Sequence, residues 1–278
     1  MMKQQQWNSV MLLSDLDGTL LRQDKTISAE DLLAIQRLRQ AGGKVALATG
    51  RTIQSARPYW TQLQIDCPII LYNGAAIYDP VSQKLCYTVT LPETAAALVQ
   101  TVLEHFPEIG AEVLRADGTY VLRNNKEEAE HVALCRVTPI VCTIEEMPQQ
   151  QWLKVLFAMD PKWMQPLQAF LREHPLPGTA FVQSSDYFYE MLPQGATKGS
   201  ALERYRKLFP MQDTAIVAVG DYDNDIEMLQ AADYSAAPAN AQPSVQNVVD
   251  WNLSQSCEEG AIAACINFMF QSGIFPLE

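Results

Sequence analysis

One stretch constrains this chain more than any other: the apolar run Val10-Met11-Leu12-Leu13, followed by Ser14-Asp15-Leu16-Asp17-Gly18-Thr19. A short apolar run is what a strand buried on both faces of a parallel sheet requires. The run ends at an acid, and Gly18 frees the backbone to turn. Asp15 and Asp17 are therefore predicted where a central strand gives way to loop, the usual ligand crevice of an open α/β sheet. Two carboxylates two residues apart at a strand end point roughly the same way and repel, so the pair calls for a cation or a shared proton. An Asp-Gly turn carrying two solvated acids is the alternative reading.

Three later segments repeat the pattern of a strand or turn that delivers polar side chains to a helix start. Ser28 is predicted to cap a helix marked by Leu32, Leu33, Ile35, Leu38 and Ala41, which Gly42-Gly43 ends. The strand Lys44–Ala48 follows, completing a right-handed βαβ unit. It stops at Thr49-Gly50-Arg51-Thr52, and a helix is predicted from about Thr52 to Leu63. Backbone N–H groups at such a start favour an anion, to which the Thr49 hydroxyl can donate. Thr49 as a plain helix cap is the alternative. Arg51 either contacts a substrate or braces the loop.

Thr197 is predicted to cap a helix running to about Leu208. Lys198 then falls in the first turn, where the helix dipole disfavours a cation by a few tenths to about 1 kcal/mol. The placement makes sense if an anion waits nearby; a solvated surface lysine is the alternative. Finally, Thr214–Val219 is the most apolar strand of the chain and ends in Gly220-Asp221-Tyr222-Asp223-Asn224-Asp225. Three acids in five residues at a strand end, with an asparagine among them, make a hard-oxygen cation site. Helix capping accounts for Asp223 or Asp225 but not for Asp221, which closes a buried strand.

In this order the four segments resemble the four motifs of the haloacid dehalogenase superfamily of phosphohydrolases, the fourth in full. The resemblance implies an α/β fold: a Rossmann-like parallel-sheet core spanning 1–85 and 192–278, with an α+β cap inserted at 86–191. Residues from about 90 to 190 are consistent with this, because the βαβ rhythm there yields to short strands and helices of mixed order. The length and position of the insert resemble the C2 cap of Cof-like type IIB members. Asp186, Tyr187, Tyr189 and Glu190 lie where that cap returns to the core. Glu190 is a possible substrate contact, with strand packing as the plainer reading of the tyrosines.

The resemblance further implies a Mg2+-dependent phosphatase acting through an aspartyl-phosphate. Asp15 would be the nucleophile and a metal ligand. Asp17 would be the general acid and base, giving its backbone carbonyl to the metal, a dual role that calls for a pKa above that of a solvated Asp. Asp221 would ligate the metal, with Asp225 as an auxiliary ligand. Thr49, Gly50, Lys198 and Asn224 would bind the phosphoryl group. Dehalogenase members lack an acid at the position of Asp17. A phosphomutase, a phospho-accepting receiver and an inactive sugar-phosphate sensor are the rival readings. Sugar phosphates are the first expected substrates, then phosphorylated cofactors such as pyridoxal phosphate or flavin mononucleotide.

Composition narrows the partners. The net charge of −12 argues against nucleic acid, whose backbone needs a cationic surface. No apolar run approaches the roughly 20 residues that cross a bilayer, and Met1–Trp7 lacks the apolar core of a signal peptide. The expectation is a cytoplasmic protein, monomeric or a small homo-oligomer, acting on a small phosphorylated metabolite. The six cysteines are scattered without a Cys-x-x-Cys pair and read as reduced thiols. His105, His131 and His174 are dispersed and read as structural or surface residues, none with metal-ligand spacing.

Overall fold

A computed structural model describes residues 10–209 and 214–272. The leader expectation, which rests on residues 1–7, lies outside them. In chain order, β1 (Val10–Ser14), α1 (Ala29–Gln40), β2 (Lys44–Leu47), α2 (Ile53–Gln62), β3 (Ile69–Leu71), β4 (Ala76–Asp79) and β5 (Lys84–Thr88) come first. They are followed by α3 (Ala95–His105), β6 (Gly110–Arg115), β7 (Gly118–Arg123), α4 (Lys126–Cys135), β8 (Ile140–Val141), β9 (Lys154–Ala158), α5 (Met164–Glu173), β10 (Thr179–Gln183) and β11 (Phe188–Pro193). The chain closes with α6 (Lys198–Leu208), β12 (Ala215–Val219), α7 (Ile226–Ala231), β13 (Tyr234–Ala237), α8 (Pro243–Gln246), β14 (Trp251–Asn252) and α9 (Ala261–Gln271).

Two compact units emerge. The first takes residues up to Gly50, Pro58–Cys86, and Thr197 onward; the second takes Arg51–Arg57 and Tyr87–Ala196. The boundaries expected from the sequence lie at 85/86 and 191/192, with 51–57 in the first unit.

The first unit is built on a parallel sheet of order β14-β13-β12-β1-β2. All five residues of β1 are buried, as its apolar run requires of a central strand. Ser14 pairs with Val219, so the acids after β1 and β12 leave the sheet side by side. This is the α/β core expected. One detail differs: Tyr234–Ala237 reads as an edge strand, but the two-residue β14 pairs outside it. A strand that short carries no periodicity to read.

Local capping follows the sequence. Ser28 Oγ accepts from Asp31 N at 2.9 Å, starting α1, an interaction worth about 1 kcal/mol. The buried Asp31 carboxylate also reaches beyond its own cap. Its Oδ1 accepts from Ala263 N at 2.7 Å and so pins the start of α9 to α1.

The second unit holds a six-stranded sheet of order β10-β11-β9-β6-β7-β8, antiparallel except for β7 with β8. Its side chains alternate between faces. Ala111, Val113, Val155, Phe157 and Met191 join α3 and α5 in an apolar core around Val99, Val102 and Leu167. The opposite face carries buried charge: Glu112, Lys154 and Glu190. β8, again two residues long, has no periodicity that a sequence could show.

Candidate active site

The site grows from the shared edge of β1, β2 and β12. Asp15 N donates to Val219 O at 2.9 Å, and Ala48 N donates to Ser14 O at 2.9 Å. Asp15, Thr49 and Gly220 thus leave three neighbouring strands together. Gly18 has φ +83°, and a Cβ there would collide with the Asp221 carboxylate. Only glycine allows the turn after Asp17 to lie against the acid that ends β12. Thr19 Oγ1 then donates to Asp221 Oδ1 at 2.7 Å, a partner to which the sequence reading gave no role although it lies inside the first motif.

Lys198 enters from the first turn of α6. Ser200 N donates to Thr197 Oγ1 at 3.0 Å, so the predicted cap forms and aims the next residue inward. Lys198 Nζ donates to Asp15 Oδ1 at 2.7 Å and to Asp225 Oδ1 at 2.6 Å, with its side chain only 1% exposed. The dipole cost of a lysine at this position is offset by two charge-assisted hydrogen bonds. The far oxygen of Asp225 accepts from Asp221 N at 3.1 Å and from Tyr222 N at 3.2 Å. Asp225 therefore both caps its own turn and anchors Lys198.

Three carboxylates around one ammonium leave excess negative charge out of water. Burial pushes the Asp15 carboxyl well above its ordinary range; Lys198 opposes this, and Asp225, Asp221 and Asp17 add to it. Burial likewise pushes Asp221 up to about 7, against the Thr19 hydrogen bond. The Lys198 ammonium moves the other way from what burial alone would do, because the Asp15 and Asp225 charges hold its proton.

Asp17 sits at the rim of this cluster, where Lys25 Nζ donates to its Oδ1 at 2.8 Å. No spacing in the sequence marks that cation as the partner of Asp17. Thr49 is buried between strands: its N donates to Ile70 O at 3.0 Å, and its O accepts from Asn73 N at 3.1 Å. Gly50 packs against the Asn73 amide, which accepts from Asn224 Nδ2 at 3.1 Å. Asn73 thus links the second and fourth motifs. Its φ of 54° is a left-handed conformation that asparagine tolerates better than most residues. Asn240 Nδ2 donates to Gly18 O at 2.8 Å and steadies the first turn.

The remaining two candidates lie in the second unit. Arg51 is buried and donates to Ser55 O at 3.4 Å. Thr52 and Ser55 bond each other reciprocally, side chain to backbone, at the start of α2. Glu190 is buried in an ion pair with Lys154 at 3.0 Å.

Asp15, Asp221 and Asp225 each offer a carboxylate oxygen, and these lie within 4.8 Å of one another. A donor set of hard oxygens without sulfur or imidazole fits Mg2+. Burial raises Asp15 and Asp221, with repulsion among the carboxylates adding to it, and both are what such an ion would relieve.

The haloacid dehalogenase-like hydrolase family model matches residues 12–266. The chain belongs to that family. It is a haloacid dehalogenase-like hydrolase, and several of its relatives are named phosphatases. Among its relatives, 5-amino-6-(5-phospho-D-ribitylamino)uracil phosphatase YitU of Bacillus subtilis is 26% identical, over 90% of this chain and 94% of its own. The HMP-PP phosphatase of Serratia proteamaculans is 28% identical, over 93% and 94%. A haloacid dehalogenase-like hydrolase from Bacteroides thetaiotaomicron shares the fold with a TM-score of 0.85, at 22% identity over 94% of this chain and 99% of that one. No described helix of the chain is long and apolar enough to cross a membrane.

Proposed function

We propose that this phosphatase is Mg2+-dependent and hydrolyses a small phosphorylated metabolite, a sugar phosphate first among the candidates, through an aspartyl-phosphate on Asp15. The observation that carries the reading is the buried Lys198 ammonium held between Asp15 and Asp225. It fixes the nucleophile's carboxylate and leaves a cationic centre beside it for phosphoryl oxygens.

An Asp15 oxygen attacks phosphorus in line, and the bond from phosphorus to the ester oxygen breaks. Asp17 gives its proton to the departing alkoxide. As a carboxylate it then takes a proton from water, whose oxygen attacks phosphorus. The bond to Asp15 breaks, releasing inorganic phosphate and restoring the carboxylate. Lys198, Thr49, the Gly50 backbone and Asn224 hold the phosphoryl oxygens. Asp15, Asp221 and the Asp17 carbonyl, with Asp225 behind them, would hold Mg2+. When bound, the ion supplies Lewis-acid stabilisation of the charge on the transferring phosphoryl group. Arg51 and Glu190 are proposed as contacts for the rest of the substrate.

The substrate class draws support from the relatives' names, which specify phosphorylated small molecules. All six cysteines are free, which suits the reducing cytoplasm. The deciding experiment is phosphate release from a panel of sugar phosphates, pyridoxal phosphate, flavin mononucleotide and the compounds in the relatives' names, with and without Mg2+. The wild type should turn over at least one of them only with Mg2+. Asp15→Asn should lose activity by on the order of 10^4-fold or more while keeping the wild-type circular dichroism. Mg2+-independent turnover, or an active Asp15→Asn, would defeat the reading.

A further inference from the structure

The second unit contains a second cluster of ligand-type side chains, apart from the catalytic residues. Glu112 stands on β6, on the sheet face opposite the apolar core. Glu128 and His131 stand on α4, three residues apart and so on one side of the helix. Asn125 caps α4, its Oδ1 accepting from Glu128 N at 2.8 Å. Gly110 on β6 lies where a Cβ would press on Asn125 and the Glu128 Cβ, so helix and strand meet closely at this point.

One donor atom from each of Glu112, Glu128 and His131 lies within 4.8 Å of the other two. Glu128 is fully buried and Glu112 is 1% exposed. Both Glu128 oxygens, Glu112 Oε1 and His131 Nδ1 are buried without a hydrogen-bond partner. Among the described residues, no lysine or arginine pairs with either glutamate. Glu112 meets only the His131 imidazole, and holding Glu128 as a buried carboxylate costs several kcal/mol, which a bound cation would offset.

The arrangement of the donors says what that is. His131 Nδ1 and Glu112 Oε1 stand 3.2 Å apart, an ion pair when the imidazole is protonated and a ligand spacing when it is neutral. Two donors of a tetrahedral ion with bonds of about 2.0–2.1 Å stand about 3.4 Å apart, with lone pairs aimed at the ion and not at each other. On the far side of the ring, His131 Nε2 contacts Cys135 Sγ at 3.4 Å, and the Phe188 ring packs against the imidazole with centroids 4.9 Å apart. In the tautomer with Nε2–H directed at sulfur, the Nδ1 lone pair is left for a metal, and the ring packing fixes its plane. Glu128-Ala129-Glu130-His131 is also a Glu-x-x-His spacing, which presents both ligands from one helix. Two carboxylates and an imidazole suit a borderline ion, whereas Mg2+ prefers oxygen alone.

We propose that Glu112, Glu128 and His131 form a binding site for a divalent transition-metal ion of the Zn2+ class, which ties α4 to β6. The three donors leave one tetrahedral position for water. The site does not depend on the catalytic reading, and it is tested in a background that silences the catalytic carboxylates. Full-length Asp221→Asn is stripped with a chelator, equilibrated with Zn2+ in millimolar Mg2+, and desalted. Metal is then counted by plasma mass spectrometry, and thermal unfolding is followed with and without Zn2+. The expected result is one Zn2+ per chain and a raised Tm, with both effects lost, and affinity lowered more than about 100-fold, in Asp221→Asn/Glu128→Gln and in Asp221→Asn/His131→Gln. Bound Co2+ should show imidazole nitrogen in its electron spin-echo spectrum. Equal Zn2+ content in Asp221→Asn and both double variants would overturn the site, as would Co2+ without a nitrogen signature. So would no retained metal in folded Asp221→Asn, which is the outcome if the two glutamates share a proton instead.

Discussion

Lys198 and Asp225 form an ion pair of 2.6 Å in which each side chain is 1% exposed. Asp225 also accepts from two backbone N–H groups, so truncating it leaves two donors unpaired and the buried ammonium with Asp15 alone. Asp225→Ala should therefore cost about 3–5 kcal/mol in urea unfolding. Asp225→Asn, which keeps an acceptor, should cost less. A loss below about 1 kcal/mol for the alanine variant would mean that the pair contributes little to the folded state.

Asp17 separates the two chemical steps. An aryl phosphate has a leaving group that departs without protonation, so Asp17→Asn should still phosphorylate Asp15 but fail to activate water. Rapid mixing should show a burst of about one phenolate per chain, then a steady rate reduced by roughly 10^2–10^4-fold. A linear trace at the wild-type rate would remove Asp17 from the mechanism.

The pH dependence of stability should report the acid cluster. Asp221 carries a carboxyl raised by burial from 3.8 to about 7. The folded state then keeps a proton that the unfolded chain releases. Stability from this group is complete below about pH 4 and is lost as the pH rises through about 7. In chelator, the wild type should lose unfolding free energy relative to Asp221→Asn across pH 4–8, about 1.4 kcal/mol per unit of pKa difference. Mg2+ at pH 8 should restore it. A wild-type-minus-variant difference that stays flat with pH would contradict this account.

Gly74 governs where Lys198 stands. It has φ +97°, and a Cβ there would run into the Thr197 carbonyl, one residue before the lysine. Gly74→Ala must displace that backbone and should lower kcat by tenfold or more, with about 1–3 kcal/mol of stability lost. Gly195→Ala is the control. Its φ is +77°, but a Cβ would meet nothing within 4 Å, so it should cost about 1 kcal/mol and leave kcat within twofold. Equal kcat losses in the two would show that strain, not the position of Lys198, is what Gly74 relieves.

Much of the architecture was legible because the relevant signals are local. The apolar runs of β1, β2 and β12 stop at polar residues, and the Ser28 and Thr197 caps act within three residues of themselves. Long elements of the inserted unit, such as α3 and β9, carry local signals of the same kind. The two-residue strands β8 and β14 were not, since two residues have no period. Nor were Lys25 beside Asp17, or Asn73 between Gly50 and Asn224, because neither partner's spacing predicts the other. His131 reads as a structural residue in the sequence. Its neighbour Glu128 lies in plain view on the same helix, but Glu112 comes from a separate strand.

The amino-acid order alone determined which side chains stand at strand ends and helix starts, because hydrophobic periodicity and capping are set by near neighbours. Tertiary structure alone decided which of those ends meet. Parallel pairing of β1 with β12 brings Asp15 beside Asp221, and the approach of α6 closes Lys198 between Asp15 and Asp225. Distances across such far-separated segments depend on packing of the whole sheet, and no local run of residues encodes them.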